Sequence, residues 1–164
     1  MQFGYKIERE KSGGFDKMTK HYQNIIVAVD GSEEADCAFK KAVSLAKEYH
    51  STLIIAHVID NRSFATVAAY DQSIVIKSDE FANELMGKYA NLAAAAGVSQ
   101  VKTVIEFGSP KVVIPKEIAK KQQADLIVCG ATGLNAVERF FIGSVSEGVT
   151  RNAPCDVLIA RSND

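Results

Sequence analysis

The chain has 164 residues, 47% of them hydrophobic and 24% charged, with 19 Lys plus Arg against 20 Asp plus Glu. That size fits one domain, and the near-neutral charge excludes a nucleic-acid binder working through bulk charge and a disordered polyelectrolyte. No stretch reaches the roughly 20 apolar residues of a membrane helix.

Residues 1–23 have no periodicity and carry Gly13-Gly14 among scattered charges. They read as a mobile lead-in, without the apolar core of a secretory signal, and Met18 is a second plausible start. Residues 24–164 are expected to form a single domain. Ile25 to Val29 is a short apolar run ending at Asp30-Gly31-Ser32, a buried strand followed by a turn. A helix follows with Ser32 as N-cap, Glu33 and Glu34 in its first turn, and Ala35, Phe39, Ala42, Ala46 and Tyr49 on one face. Leu53 to Ile59 is the second strand, and residues 60–77 are weakly patterned, a lid or a partly helical excursion. A helix is expected from about Ser78 to Ala96, stopped by Gly97. The third strand spans about Val101 to Phe107. Ser109 then sits at an N-cap with Pro110 at the first helical position, and Pro115 predicts a kink or a restart in that helix. Leu126 to Cys129 is the fourth strand. A last helix begins near Gly143, and Val157 to Ala160 is the fifth strand.

Apolar strands alternating with helices imply an α/β fold: a five-stranded parallel sheet, doubly wound and Rossmann-like, in the order 3-2-1-4-5. Such sheets bind ligands beyond the strands' carboxyl ends, where the winding reverses. Here that point lies between the first and fourth strands, at the Asp30 turn and the Gly130 loop.

Three thiols, Cys37, Cys129 and Cys155, stand far apart with no Cys/His cluster at metal spacing. They read as reduced cysteines of a cytoplasmic protein. After the fourth strand, two residues separate Gly130 from Gly133 and nine separate Gly133 from Gly143, which Ser144 follows. Glycines there serve either tight turns and close helix packing, or backbone N–H groups that approach a phosphate. This is neither a Walker A loop nor a GxGxxG fingerprint. Ser144 with Glu147 fits a capping box, a role compatible with phosphate at the same helix start. Asp30 is either good turn chemistry or a carboxylate for ribose hydroxyls or magnesium. Glu33 and Glu34 would repel phosphate from their own helix, so phosphate belongs at the Gly143 helix. His57 reads as a packed, hydrogen-bonded histidine, Arg139 as a solvated residue, and Phe140, Phe141 and Ile142 as core or interface. No catalytic triad or paired carboxylates appear.

From Tyr22 to Arg161 the chain resembles the universal stress protein family. The resemblance is carried by Asn24 to Ser32, His57-Val58-Ile59-Asp60, Gly108-Ser109-Pro110, Ala124 to Val128 and the spacing G-x2-G-x9-G-[S/T] of the ATP-binding subgroup. It implies a fold of the adenine nucleotide alpha hydrolase-like type and a cofactor of ATP, AMP or ADP. The Val58 backbone would pair with the adenine edge and Asp30 would bind the ribose. Gly130 and Gly133 would line the ribose and phosphate side. Gly143, Ser144 and the Val145 amide would hold phosphates bridged by Mg2+ or Mn2+. Ala131 and Thr132 replace a frequent polar and basic pair, leaving no positive side chain between the first two glycines. The function implied is a nucleotide-dependent regulatory homodimer in the cytoplasmic stress response, paired through the last strand and read by an unknown protein partner, with no nucleic acid and no membrane. The alternatives are a slow ATPase or self-phosphorylating enzyme, and a dimeric module that does not use nucleotide.

Overall fold

Five strands form one parallel sheet in the order β3-β2-β1-β4-β5. They are β1 (Asn24–Ala28), β2 (Thr52–Ile59), β3 (Gln100–Phe107), β4 (Leu126–Gly130) and β5 (Asp156–Ala160). The computed structural model describes residues 21–60, 62, 73–133 and 142–162. The order is the one expected from the sequence, with β1 and β4 adjacent at the reversal.

Side chains alternate across a strand, so each central strand feeds two cores. Ile25 and Val27 of β1, with Leu53, Ile55 and Val128, pack against α1 (Glu33–Tyr49) and α2 (Ser73–Ala95). Ile26, Ile54 and Ile127 pack on the opposite face against the composite helix α3 (Pro110–Lys121) and α4 (Ser144–Asn152). Helices therefore cover both faces of the sheet.

Ser32 caps α1 as expected, its side chain accepting from the Ala35 N–H at 3.1 Å. The predicted apolar face of α1 is buried except at Tyr49, which is half-buried and packs edge-on against Tyr22. α2 starts five residues before the expected Ser78. The β-branched run Ile74-Val75-Ile76 has weak helix propensity, and tertiary packing overrides it. At Pro115 the helix does not restart. α3 runs through Pro110–Val113, a π turn at Ile114–Ile118 and Ala119–Lys121. Proline has no N–H for the ladder, and the helix absorbs the gap by widening one turn, with Ala119 N–H reaching Ile114 O. Ser109 stands at the N-cap of α3, but its carbonyl, not its hydroxyl, takes the Val112 and Val113 amides.

α1 and α2 are joined inside the core. The Tyr89 ring is fully buried 4.7 Å from Phe39, and its hydroxyl donates to Asp36 at 2.5 Å. Burial, with the Asp36 carboxylate beside it, pushes the Tyr89 phenol well above its ordinary value.

Candidate functional site

Pairing between β1 and β4 ends at Val27 and Val128, beyond which α1 leaves over one face of the sheet while α4 lies on the other. A cavity of about 960 Å³ opens there. All seven residues singled out from the sequence border it: Asp30, Val58, Gly130, Gly133, Gly143, Ser144 and Val145. They come from three strand ends and a helix start that are up to 115 positions apart (145 minus 30).

Asp30 makes the turn chemistry expected of it, and its carboxylate borders the cavity. Its Oδ1 accepts from the Ser32 N–H at 3.0 Å and the Ser32 hydroxyl at 2.6 Å, which fixes the turn. Gly31 follows at φ 85°, a conformation glycine adopts without strain. Oδ2 points across to Gly133 and would lie 2.8 Å from a Cβ built there. The turn thus holds the carboxylate while one oxygen faces the second glycine of the motif.

The three glycines divide their work. Gly130 is pressed against the backbone of α1, where a Cβ would meet Glu34 Cβ at 2.8 Å and Glu34 C and O at 2.9 Å. That is close helix–sheet packing. Gly143 differs from expectation: its N–H donates to Ala131 O at 2.7 Å, so the amide is not open to a ligand. The bond ties the start of α4 to the end of β4. The Ser144 capping box does not form either. Gly143 is the N-cap and Ser144 the first helical residue, exposed and making no cap hydrogen bond. Among the described residues no partner takes the amides of Ser144, Val145 and Ser146, the first turn of α4. Below them the Ser146 hydroxyl donates to Gly130 O at 2.5 Å. A helix start with three such amides attracts an anion.

On the opposite wall, Val58 presents backbone. Both main-chain groups of a parallel-strand residue point the same way, and successive residues alternate. Ala56 O accepts from Val29 N–H at 2.9 Å on the β1 side, and Ile59 O accepts from Gly108 N–H at 3.0 Å on the β3 side. The Val58 N–H and C=O therefore face β1, just where β1 has turned away. His57 Nδ1 lies 2.8 Å from Val29 O, and since a carbonyl only accepts, Nδ1 carries the hydrogen. The His57 ring meets Phe81 edge-on at 6.1 Å.

Two features escaped the sequence reading. The first turns of α2 bring Ile74, Lys77, Ser78 and Phe81 to the cavity wall. Lys77 supplies a positive side chain from a segment whose pattern was too weak to read. Asp60, at the rim, is paired with Arg62 through contacts of 2.8 and 2.6 Å, and the guanidinium holds its carboxyl below the usual value. Of the residues expected in a core or an interface, Ile142 is exposed at the mouth and so not in a core, whereas Phe140 and Phe141, like Arg139, lie outside the described residues.

Cys129 forms part of the cavity floor at 3% exposure, and burial pushes its thiol up to about 11 from 9.0. Because the folded value is raised, its contribution to stability is complete below pH 9.0 and is lost as pH rises through about 11. Urea unfolding over that range should show a loss of stability that Cys129→Ala lessens. A thiol reagent at pH 8 should label Cys129 only after unfolding.

The universal stress protein family model matches residues 21–161. This chain belongs to the universal stress protein family. A Staphylococcus haemolyticus relative carrying the universal stress protein name is 50% identical over 143 residues, 87% of each chain. Among solved structures, the universal stress protein UspA from Lactobacillus plantarum superposes with a TM-score of 0.77 at 32% identity, covering 87% of this chain and all of that one. A universal stress protein in complex with cAMP superposes with a TM-score of 0.64 at 27% identity, covering 88% of this chain and 100% of the other. In this universal stress protein no helix among the described residues is long and apolar enough to cross a membrane.

Proposed function

We propose that the chain is an ATP-binding member of its family and acts as a nucleotide-dependent regulatory homodimer. The observation that carries this reading is the meeting, around one cavity, of an outward-facing strand backbone at Val58, a turn-held carboxylate at Asp30 and the open amides of Ser144, Val145 and Ser146. Adenine needs a donor and an acceptor side by side, a ribose needs a carboxylate, and a phosphate tail needs amides at a helix start. The related structure with cAMP supports the adenine nucleotide class. Lys77 adds charge for the anion.

A divalent cation would arrive with the phosphates. Among the described residues no group of three or more His, Cys, Asp or Glu side chains could hold an ion alone. The dimer would form through β5, an edge strand whose Val157, Leu158 and Ile159 are all half-buried. Binding of ATP would favour one state of the protein, and a protein partner would recognise that state.

Isothermal titration with Mg-ATP tests the reading; saturable heat is expected, and its absence removes the proposal. Sedimentation with and without nucleotide tests the dimer. Gly133→Ala gives a further check. Its new methyl would collide with Asp30 Oδ2 and displace the carboxylate, while nothing in the core moves. Affinity for adenosine nucleotides should fall about tenfold, as for one lost charged hydrogen bond, with stability falling by about 0.5–1.5 kcal/mol as the Asp30 bonds to Ser32 loosen.

A further inference from the structure

We infer that His57 is a positioning residue: its imidazole takes the place of a rung in the β1–β2 ladder and so keeps the Val58 amide open to a ligand. The inference rests on the adenine-nucleotide reading of the site and adds to it the device that makes the base-reading edge available.

The register dictates which bond is missing. Ala28 is opposite Ala56, and the Val29 N–H donates to Ala56 O at 2.9 Å. In a parallel ladder the next rung runs from the N–H two residues further along β2, that of Val58, to the Val29 carbonyl. That bond is not formed. The Val29 carbonyl is met instead by His57 Nδ1 at 2.8 Å. A buried carbonyl seeks a donor, and a side chain from the same strand supplies it. The main-chain donor of Val58 is thereby released toward the cavity, although the Val58 side chain remains 8% exposed in the core. Phe81, edge-on to the imidazole, holds the ring in place. His57 needs no contact with the ligand to do this. It fixes where β1 ends and the ligand begins.

Two substitutions separate donor from ring. His57→Phe keeps an aromatic ring against Phe81 and removes the Nδ1 donor. His57→Asn keeps an amide donor near the Nδ1 position and removes the ring. The measurements are amide exchange of Val58 by NMR in the ligand-free full chain, and the affinity ratio of adenosine to 1-deazaadenosine, which lacks the ring nitrogen that would accept from the Val58 N–H. In the unaltered protein the Val58 amide should exchange as an unbonded amide, and adenosine should bind about tenfold more tightly than its deaza analogue. In His57→Phe the Val58 amide should pair with Val29, its exchange should slow by tenfold or more, and the ratio should approach one. His57→Asn should retain most of the ratio. A protected Val58 amide in the unaltered ligand-free protein overturns the inference, whatever the variants do. So does a His57→Phe protein with unchanged exchange. If adenosine does not bind at all, the functional reading fails, while the exchange data still decide the role of His57.

Discussion

Ser144→Pro is expected to keep or raise thermal stability while weakening ATP binding by about ten- to a hundredfold. Ser144 is the first residue of α4, a position where proline is favoured. The residue before it, Gly143, has φ −66° and ψ 158°, the extended conformation required ahead of a proline. The Ser144 hydroxyl makes no cap, so none is lost. Proline also narrows the unfolded ensemble, a gain of about 0.4–1 kcal/mol where the conformation fits. What disappears is one of three amides at the helix start, with its hydroxyl. A hydrogen bond to a charged group contributes about 1.5–3 kcal/mol, which sets the expected loss. Thermal unfolding and isothermal titration on the same preparation check both halves. Unchanged affinity would remove the α4 start from the phosphate site.

The second large effect lies at Gly130 and concerns folding. Gly130→Ala would place its methyl 2.8–2.9 Å from Cβ, C and O of Glu34. Two of these are backbone atoms in the first turn of α1, which cannot move without shifting a helix packed on the core. Overpacking of this kind costs about 1–3 kcal/mol; with backbone as the obstacle we expect about 2–3 kcal/mol. For a chain of this length that lowers Tm by roughly 4–12 °C. A melt that stays within 1 °C of the unaltered protein would contradict the packing described. Gly133→Ala is the companion measurement, since there the obstacle is one carboxylate oxygen.

Much of this architecture was legible in the chain because the signals are local. Ile25 to Val27, Leu53 to Ile55 and Leu126 to Val128 are apolar on both faces, which fixes buried parallel strands. Asp30-Gly31-Ser32 fixes the first turn and cap, and Gly97 the end of α2. The site residues followed from the glycine spacing and the family resemblance. What could not be read depends on contacts between distant segments. Nothing near Gly143 announces that its amide is spent on Ala131, and nothing near Gly130 announces the backbone of α1. A capping box at Ser144 was a fair inference from four residues, yet the bond to Ala131 moves the cap back to Gly143. The π turn around Pro115 escaped for another reason. A missing N–H permits a restart, a kink or a widened turn, and the widened turn places Ile114 and Ile118 in the core. Lys77 was hidden because Ile74, Val75 and Ile76 weaken the helical signal ahead of it.

The separate duties of Gly130 and Gly133 bear on how descendants of such a protein would drift. A lineage that abandoned its nucleotide would be eased at position 133, where the obstacle is a single carboxylate oxygen of Asp30 and not a helix backbone. Position 130 would stay under selection, because a helix axis is seated there. Shared identity at the first glycine alone therefore testifies to common architecture, and retention of the second is the better witness to a living activity.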